Sequence, residues 1–339
     1  MKLITVNDLA QLIKIHSFDD FIRDLVQYLK QDFARFDQFD KSPRYAAHVP
    51  GGVIELMPIA DNKYFSFKYV NGHPGNPAFD KQTVVATGQL SEITFGYPLL
   101  LSEMTILTAL RTSATTILAT DYLARKNSQI MALIGTGAQS EFLTLGHQLI
   151  RPIHTIRYFD TDTQAMEKFA RNMLKHGLKL IPCASAEEAC RGADIITVCT
   201  ACKLHAQVLN NSWIKPGVHI NGLGGDCPGK TELDRDILFR GKVVVEYLPQ
   251  SIIEGEIQQL KPAEITQVVH AELWELVKQS KAGRENEQEI TIFDSVGFAL
   301  EDYSALRLCY DLANKYNIGT DIDLIPPLQD PKNLIGALN

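Results

Sequence analysis

Features that mark several classes of protein are scarce or missing in this sequence. Cysteine occurs six times in 339 residues, which is too sparse for a disulfide scaffold and is typical of a reduced, cytoplasmic protein. No apolar run approaches the roughly 18 residues of a membrane-spanning helix. The acidic Asp8 comes too early for a secretory signal. We therefore expect a cytoplasmic protein that has no membrane partner.

An excess of positive charge is also missing, because 33 lysines and arginines stand against 40 aspartates and glutamates, for a net charge of −7. Such a surface does not attract nucleic acid over long distances, so we expect a small-molecule partner in a local cationic pocket. Cys199 and Cys202 have the spacing of metal ligands, but the nearest further candidate, His205, is isolated. No metal site is expected.

The hydrophobic pattern changes near residue 129. Before this point, a helix is expected after the capping residue Ser17, strands at 53–58 and 64–70, and helix within 103–125. After it, apolar runs alternate with helical segments, which predicts a parallel sheet covered on both faces. We therefore expect an α/β fold in which residues 113–317 form a Rossmann-type doubly wound parallel sheet. Residues 1–112 and the tail 318–339 would form an α+β domain.

A glycine motif opens the second region. Gly135 and Gly137 follow an apolar strand and precede a helix, as in loops that bind dinucleotides. The usual third glycine is Ser140, but Asp160 ends the next strand, where a carboxylate binds the adenosine ribose and repels a 2′-phosphate. This combination favours NAD as the cofactor.

A competing motif at residues 224–231 matches the phosphate loop of nucleotide triphosphatases. Two of its residues oppose that interpretation. Asp226 places a carboxylate where polyanionic phosphate would bind, and Pro228 removes a backbone donor. The phosphate-loop interpretation is therefore the weaker of the two.

Several longer blocks resemble the ornithine cyclodeaminase/mu-crystallin family, and most closely its bacterial ornithine cyclodeaminase branch. They span most of the chain and lie at residues 68–74, 101–105, 109–112, 135–142, 224–232, 245–247, 254–260 and 293–302. The resemblance implies an NAD-dependent enzyme that converts L-ornithine to L-proline and ammonia, and a homodimer whose α+β domain binds substrate and forms the dimer.

The resemblance also implies roles for individual residues. Arg44, Lys68 and Arg111 would bind the substrate carboxylate, since guanidinium groups can bind a carboxylate with two hydrogen bonds. Lys68 could also serve as a base toward the α-amine, and Asp226 would be the catalytic acid/base that binds the δ-amine. Val296 and, more weakly, Glu55 would contact the substrate. The cofactor would contact Thr83, Arg111, Gly135, Gly137, Ala138, Gln139, Asp160, Thr200, Gly222, Leu223, Lys230 and Ser295.

The implied reaction returns the cofactor to its starting state. Hydride leaves the α-carbon of ornithine for NAD, the δ-amine attacks the resulting imine, ammonia leaves, and the hydride returns to give proline. Other interpretations stay open: an amino-acid dehydrogenase or cyclic ketimine reductase of the same family, and a non-catalytic ligand-binding protein of the mu-crystallin type. The sequence does not separate ornithine from lysine or diaminobutyrate as the substrate.

Overall fold

The computed structural model describes residues 1–201, 207–225 and 227–338. Three residues to which the sequence analysis gave attention, Cys202, His205 and Asp226, lie outside the described residues. The strands are β1 Lys2–Ile4, β2 Asp40–Lys41, β3 Tyr45–Val49, β4 Gly52–Ala60, β5 Tyr64–Gly72, β6 Val84–Glu92, β7 Pro98–Glu103, β8 Ile130–Ile134, β9 Thr155–Phe159, β10 Lys179–Pro182, β11 Ile195–Val198, β12 His219–Gly222, β13 Lys242–Val245, β14 Val269–Glu272, β15 Thr291–Asp294 and β16 Thr320–Asp321.

The α-helices are α1 Val6–His16, α2 Phe18–Ala34, α3 Thr105–Leu123, α4 Ser140–Ile150, α5 Thr163–Met173, α6 Ala186–Cys190, α7 Arg235–Arg240, α8 Leu248–Ser251, α9 Pro262–Val268, α10 Leu273–Val277 and α11 Ala299–Tyr316.

The second half of the chain forms an eight-stranded sheet in the order β10-β9-β8-β11-β12-β15-β13-β14. All of its pairings are parallel. Its central strands β8, β11, β12, β15 and β13 are short and almost entirely buried, as expected when helices cover both faces. Strand order reverses beside β8, which is where doubly wound folds bind ligands. The predicted Rossmann-type sheet is confirmed.

The first half forms a second sheet, in the order β16-β1-β7-β6-β5-β4-β2, with β3 paired to β4. Its last strand comes from the C-terminal tail, because β16 pairs with β1. Helix α11 packs against β5, β6 and β4 of this sheet and against α2 and α3. The predicted division at residue 113 falls within α3, which contacts strands of both sheets.

Local signals in the sequence match the helix ends. Ser17 caps α2 by accepting a hydrogen bond from the backbone of Asp20. Gly177 ends the turn after α5 with φ of 69°, a conformation that glycine adopts readily. Ser185 and Glu188 have the spacing of a capping box, which is half formed: the Ser185 side chain accepts from Glu188 N, whereas the Glu188 carboxylate accepts from Ala184 N.

Candidate functional site

Strand alternation determines which side chains of the first sheet face its helices. On β5, Ser66, Lys68 and Val70 are buried while Phe65 and Tyr69 are exposed, because successive residues of a strand point to opposite faces. Glu55 on the neighbouring β4 shares the buried face. The sheet therefore presents a lysine and a glutamate to the interior.

Lys68 is paired within the protein. Its Nζ donates to Asp302 at 2.9 Å, and both side chains are 1% exposed. Burial, the first cause, and repulsion from Arg111 lower the pKa of Lys68 to about 8, against the attraction of Asp302. Arg111 donates from Nε to Asp302 at 3.0 Å and from Nη1 to Glu301 at 2.7 Å. Helix α11 thus begins with two acids that hold two cations from other elements.

Arg44 is held by Glu55 and by the turn that precedes α11. Its Nη1 donates to Glu55 at 3.0 Å, and its Nη2 donates to the carbonyl oxygens of Val296 and Gly297 at 2.5 and 2.6 Å. The backbone N–H groups of Val296 and Gly297 donate to Glu246 at 2.9 and 2.7 Å. Arg44 and Glu246 therefore hold the same peptide segment, one through its carbonyl oxygens and the other through its N–H groups.

Only glycine fits at position 297, for a steric reason. Its φ is +83°, and a Cβ at this position would lie 2.9 Å from the terminal nitrogens of Arg111. Any other side chain would be strained by the backbone conformation and would displace the guanidinium. The turn between β15 and α11 therefore packs directly against the Arg111 guanidinium.

One cavity of about 110 Å³ joins the two halves of the predicted site. It is lined from the first sheet and α3 by Arg44, Glu55, Lys68 and Arg111, and from the Rossmann side by Gln139, Leu223, Ser295 and Val296. Gln139, Leu223 and Ser295 come after the carboxyl ends of β8, β12 and β15. They therefore lie at the edge of the parallel sheet where folds of this class bind ligands. Eight of the predicted site residues therefore lie around one cavity.

The glycine turn fits a dinucleotide phosphate. Gly135 has φ of +98°, and a Cβ there would lie 2.7 Å from the Cys199 carbonyl oxygen. Gly137 and Ala138 are exposed at the start of α4. Gln139, which occupies the N-cap position, makes no side-chain capping bond, so backbone donors at this helix start are open to an anion. Asp160 accepts from Thr136 N at 2.6 Å and so braces the turn.

Lys230 and Thr200 meet in the interior instead of at a phosphate loop. Lys230 is 1% exposed, and its Nζ donates to the Thr200 carbonyl oxygen at 2.9 Å. The Thr200 hydroxyl donates to Glu232. A phosphate loop needs a helix that starts at its lysine, but α7 begins only at Arg235. The described residues around Lys230 therefore do not have the helix start of a triphosphatase loop, in agreement with the prediction.

The remaining predicted contacts lie at two places. Gly222 ends β12, and its carbonyl oxygen accepts from Ser295 N at 2.9 Å. Thr83 precedes β6, and its carbonyl oxygen accepts from His73 N at 2.8 Å. Thr83 is not among the residues that line the cavity, although its neighbour Val84 is. These roles stay predictions.

The acidic residues that organise the site were not predicted from the sequence. Glu246, Glu301 and Asp302 are at most 1% exposed, and each contacts a predicted site residue. One signal was present: three buried cations in an acidic protein require counter-charges. Their identity was not readable, because no local pattern distinguishes these acids from those on the surface.

The described part of the chain contains neither a membrane-spanning helix nor a grouped set of metal ligands. Over residues 1–201, 207–225 and 227–338, no helix has the length and apolar character needed to span a membrane. Within the same part of the chain, no three histidine, cysteine or acidic side chains are grouped so that they could hold a metal ion.

Comparisons with known proteins place the chain in a family. Its residues 5–317 match the model of the ornithine cyclodeaminase/mu-crystallin family. It is 49% identical to an ornithine cyclodeaminase of Agrobacterium fabrum, over 99% of this chain and 94% of that protein.

Two solved structures are similar over the same extent. One is a lysine cyclodeaminase solved to explain recognition of L-lysine, L-ornithine and L-2,4-diaminobutyric acid, with a TM-score of 0.90, 28% identity and coverage of 100% of this chain and 98% of the other. The other is the Thermococcus litoralis Δ1-pyrroline-2-carboxylate reductase in complex with NADH and L-proline, with a TM-score of 0.86, 31% identity and coverage of 95% and 100%. This chain belongs to the ornithine cyclodeaminase/mu-crystallin family.

Proposed function

We propose that the protein is an ornithine cyclodeaminase that converts L-ornithine to L-proline and ammonia with bound NAD. The observation that carries the proposal is the shared cavity, in which three basic side chains meet the carboxyl edge of a Rossmann sheet. The full-length similarity to an ornithine cyclodeaminase supports the choice of reaction.

The substrate carboxylate would bind between Arg111, Lys68 and Arg44. Arg111 commits Nε and Nη1 to acids on α11, and among the described residues no hydrogen bond engages its Nη2. A carboxylate in the cavity would accept from Nη2 and from the Lys68 ammonium, because charge-assisted bonds of this kind are strong when buried. This would hold the α-carbon at the Rossmann side of the cavity.

The amines of ornithine need acidic partners. Glu55 lines the cavity, and its Oε1 is buried without a partner in the described structure, so it is suited to accept from a substrate ammonium. Asp226 follows Gly225 in the loop that is held where Gly255 N donates to the Gly225 carbonyl oxygen at 2.5 Å. We assign Asp226 the δ-amine: its carboxylate would select a diamine and take the proton that this nitrogen loses before it attacks.

NAD, when bound, supplies a hydride acceptor and then a hydride donor for the α-carbon. Gly137, Ala138 and the start of α4 would hold its pyrophosphate, and Asp160 would favour NAD over NADP. The pKa of Lys68 is lowered to about 8, so its neutral fraction would accept a proton from the α-ammonium; the ammonium formed in this way would then donate to the substrate carboxylate. The cations and Glu55 would fix the orientation of ornithine between this base and the cofactor side.

The test compares the amounts of ammonia, proline and NADH that the protein forms. The protein is mixed with a catalytic amount of NAD⁺ and with L-ornithine deuterated at the α-carbon, and ammonia, proline and NADH are measured. The proposal requires equal amounts of ammonia and proline, no accumulation of NADH and deuterium at the α-carbon of proline. Steady formation of NADH would instead indicate an oxidative dehydrogenase. Parallel assays with L-lysine and L-2,4-diaminobutyrate test the choice of ornithine.

We also propose a homodimer formed through the outer face of the first sheet. This face is apolar: Leu56, Phe65, Tyr69 and Val85 are 37–41% exposed on three adjacent strands. Leu56 and Tyr69 are cross-strand partners, and Val85 lies two positions from Thr87, the partner of Tyr69 on β6. Phe65 lies on the same face of β5 and contacts Phe67 there, so the exposed side chains form one patch. An apolar sheet face of this kind marks an interaction site. A second copy of the chain would cover it with the same residues, as a two-fold interface requires.

A further inference from the structure

Two glutamates that the proposed reaction does not use meet next to the carboxylate-binding cations. Glu246 follows β13, and Glu301 lies in the first turn of α11. Both are completely buried, and both lie beside Arg111: Glu301 accepts from its Nη1, and Glu246 accepts from the N–H of Gly297, whose α-carbon packs against the same guanidinium. Two ionised carboxylates repel each other strongly in such surroundings, so this arrangement requires an explanation.

The balance of charges around the cavity indicates that at least one of the buried acids is protonated. The three cations Arg44, Lys68 and Arg111 are accompanied by five buried acids, Glu55, Glu246, Glu254, Glu301 and Asp302. With every acid ionised, the site would carry net negative charge before an anionic substrate carboxylate enters it. Buried acids in this situation are neutralised by a proton.

Of Glu246 and Glu301, the hydrogen bonds indicate which one is protonated. Glu246 accepts from the Ser295 hydroxyl at 2.5 Å and from the N–H groups of Val296 and Gly297, and such bonds stabilise an ionised carboxylate. Glu301 accepts from Arg111 through Oε2 only, while its Oε1 is buried without a donor. Burial and the nearby Glu246 raise the pKa of Glu301 well above its ordinary value.

We propose that Glu301 is a neutral carboxylic acid that donates its proton to Glu246, and that this pair positions Arg111 for the substrate carboxylate. The inference rests on the proposed function, and it adds two positioning residues to that site. Through Glu301 the pair holds Arg111 Nη1, and through Glu246 it holds the turn at Val296 and Gly297. The shared proton joins these two contacts, so that Nη2 of Arg111 faces the cavity in a fixed direction.

The pair is asymmetric, and the asymmetry can be tested by substitution. In Glu301→Gln an amide N–H replaces the acid O–H, so the affinity for ornithine and kcat should stay within about fivefold of wild type. Glu301→Ala removes the donor. Glu246→Gln removes an acceptor from the backbone donors. Both of these variants should raise KM and the dissociation constant of a carboxylate ligand by about 10–100-fold, with a smaller effect on kcat.

Infrared difference spectroscopy gives a readout that turnover does not influence. Wild type minus Glu301→Gln should show the C=O stretch of a protonated carboxyl group, and the band should shift in D2O. Glu187→Gln, a substitution of an exposed glutamate, should show no such band. Melting temperatures identify variants that fail to fold; if Glu246→Gln is one of them, the contrast between Glu301→Gln and Glu301→Ala and the infrared band still decide the question.

The outcomes separate the two proposals. Absence of the band, or a Glu301→Gln variant as damaged as Glu301→Ala, would overturn the shared proton. Tolerance of Glu246→Gln together with damage in Glu301→Gln would also overturn it, because the donor would then be Glu246. The affinity of each variant for a carboxylate is measured without turnover, by calorimetry with 5-aminovalerate. If the band and the asymmetry of this affinity are present but wild type does not cyclodeaminate ornithine, the proposed function fails and the shared proton stands.

Discussion

Lys68 and Asp302 are separated by 234 positions in the chain, yet their side chains form an ion pair of 2.9 Å that is almost completely buried. The pair joins the first sheet to α11, and Asp302 also accepts from Arg111. Two cations of the proposed carboxylate site therefore depend on one acid.

Substitution of that acid should damage both stability and binding. Asp302→Asn leaves two buried cations without a full counter-charge, and breaking such a pair costs about 3–5 kcal/mol. We expect a loss of this size in urea denaturation and a raised KM for ornithine in the fraction that folds. The matched control Asp323→Asn, in the exposed tail, should change the free energy of unfolding by less than about 0.5 kcal/mol. Equal effects of both substitutions would contradict the role given to Asp302.

The affinity for a carboxylate should depend on pH through Lys68. Its pKa of about 8 means that the ammonium is present below pH 8 and is lost above it. The inhibition constant of 5-aminovalerate, whose amine and carboxyl titrate well outside this range, should therefore be constant below that point. Above it, the constant should rise by up to about tenfold per pH unit.

Lys68→Arg is the control for this pH dependence, because arginine stays charged throughout the range. Its inhibition constant should not change between pH 7 and pH 9, even if the larger group weakens binding overall. An inhibition constant that rises equally in wild type and Lys68→Arg would assign the titration to another group.

The structure also shows which parts of the site were within reach of sequence reasoning. The turn at Gly135 and the inward orientation of Lys68 follow from local patterns, a glycine before a helix and the alternation of β5. The partners of Lys68 could not be predicted in this way. Asp302 is distant in the chain, and only the packing of α11 on β5 brings it to the lysine.

A second limit concerns side-chain hydrogen bonds. The spacing of Ser185 and Glu188 is that of a capping box, but the Glu188 carboxylate accepts from Ala184 N instead of Ser185 N. Two neighbouring backbone donors compete for the same acceptor, and the sequence motif does not distinguish between them. The contact between Glu246 and the turn at Val296 was not foreseen for the other reason, because 50 positions of the chain separate the two residues.

Asp226→Asn tests the acid/base role directly. The amide cannot take a proton from the δ-amine, so turnover should fall by about 10²-fold or more, while the affinity for NAD stays unchanged. Isothermal titration with NAD and the ammonia assay measure the two quantities separately. Asp236→Asn, which changes an exposed aspartate of α7 ten positions later in the chain, serves as the control. Near-normal turnover in Asp226→Asn would remove this residue from the reaction.

Acid should destabilise the protein through two buried histidines. Burial lowers the pKa of His147 to about 4 and that of His219 to about 3. The unfolded chain binds protons below about pH 6.5 and the folded protein does not, so their contribution to stability is lost as the pH falls below that value. At pH 5 each histidine should contribute a loss of about 2 kcal/mol relative to pH 7.

Urea denaturation at several pH values measures this loss. His147→Gln should be less stable at pH 7, because His147 hydrogen-bonds within the core, but its stability should fall less steeply between pH 7 and pH 5. An unchanged slope would show that other groups cause the acid sensitivity.

The dimer proposal predicts a specific effect of charge on the outer face of the first sheet. Tyr69 is 41% exposed at the centre of the apolar patch, and Tyr69→Glu would place two like charges near the two-fold axis of the proposed interface. We expect a dimer in wild type and a monomer in this variant by sedimentation velocity. Leu174→Glu, which alters a 74% exposed side chain after α5, should leave the dimer intact. A wild-type protein that sediments as a monomer would contradict the interface itself.

The monomeric variant also tests whether the active site needs the dimer. Lys68 is the neighbour of Tyr69 on β5 and lies on the buried face of that strand. Activity of the monomer would show that Lys68 keeps its position when no second copy covers the exposed face.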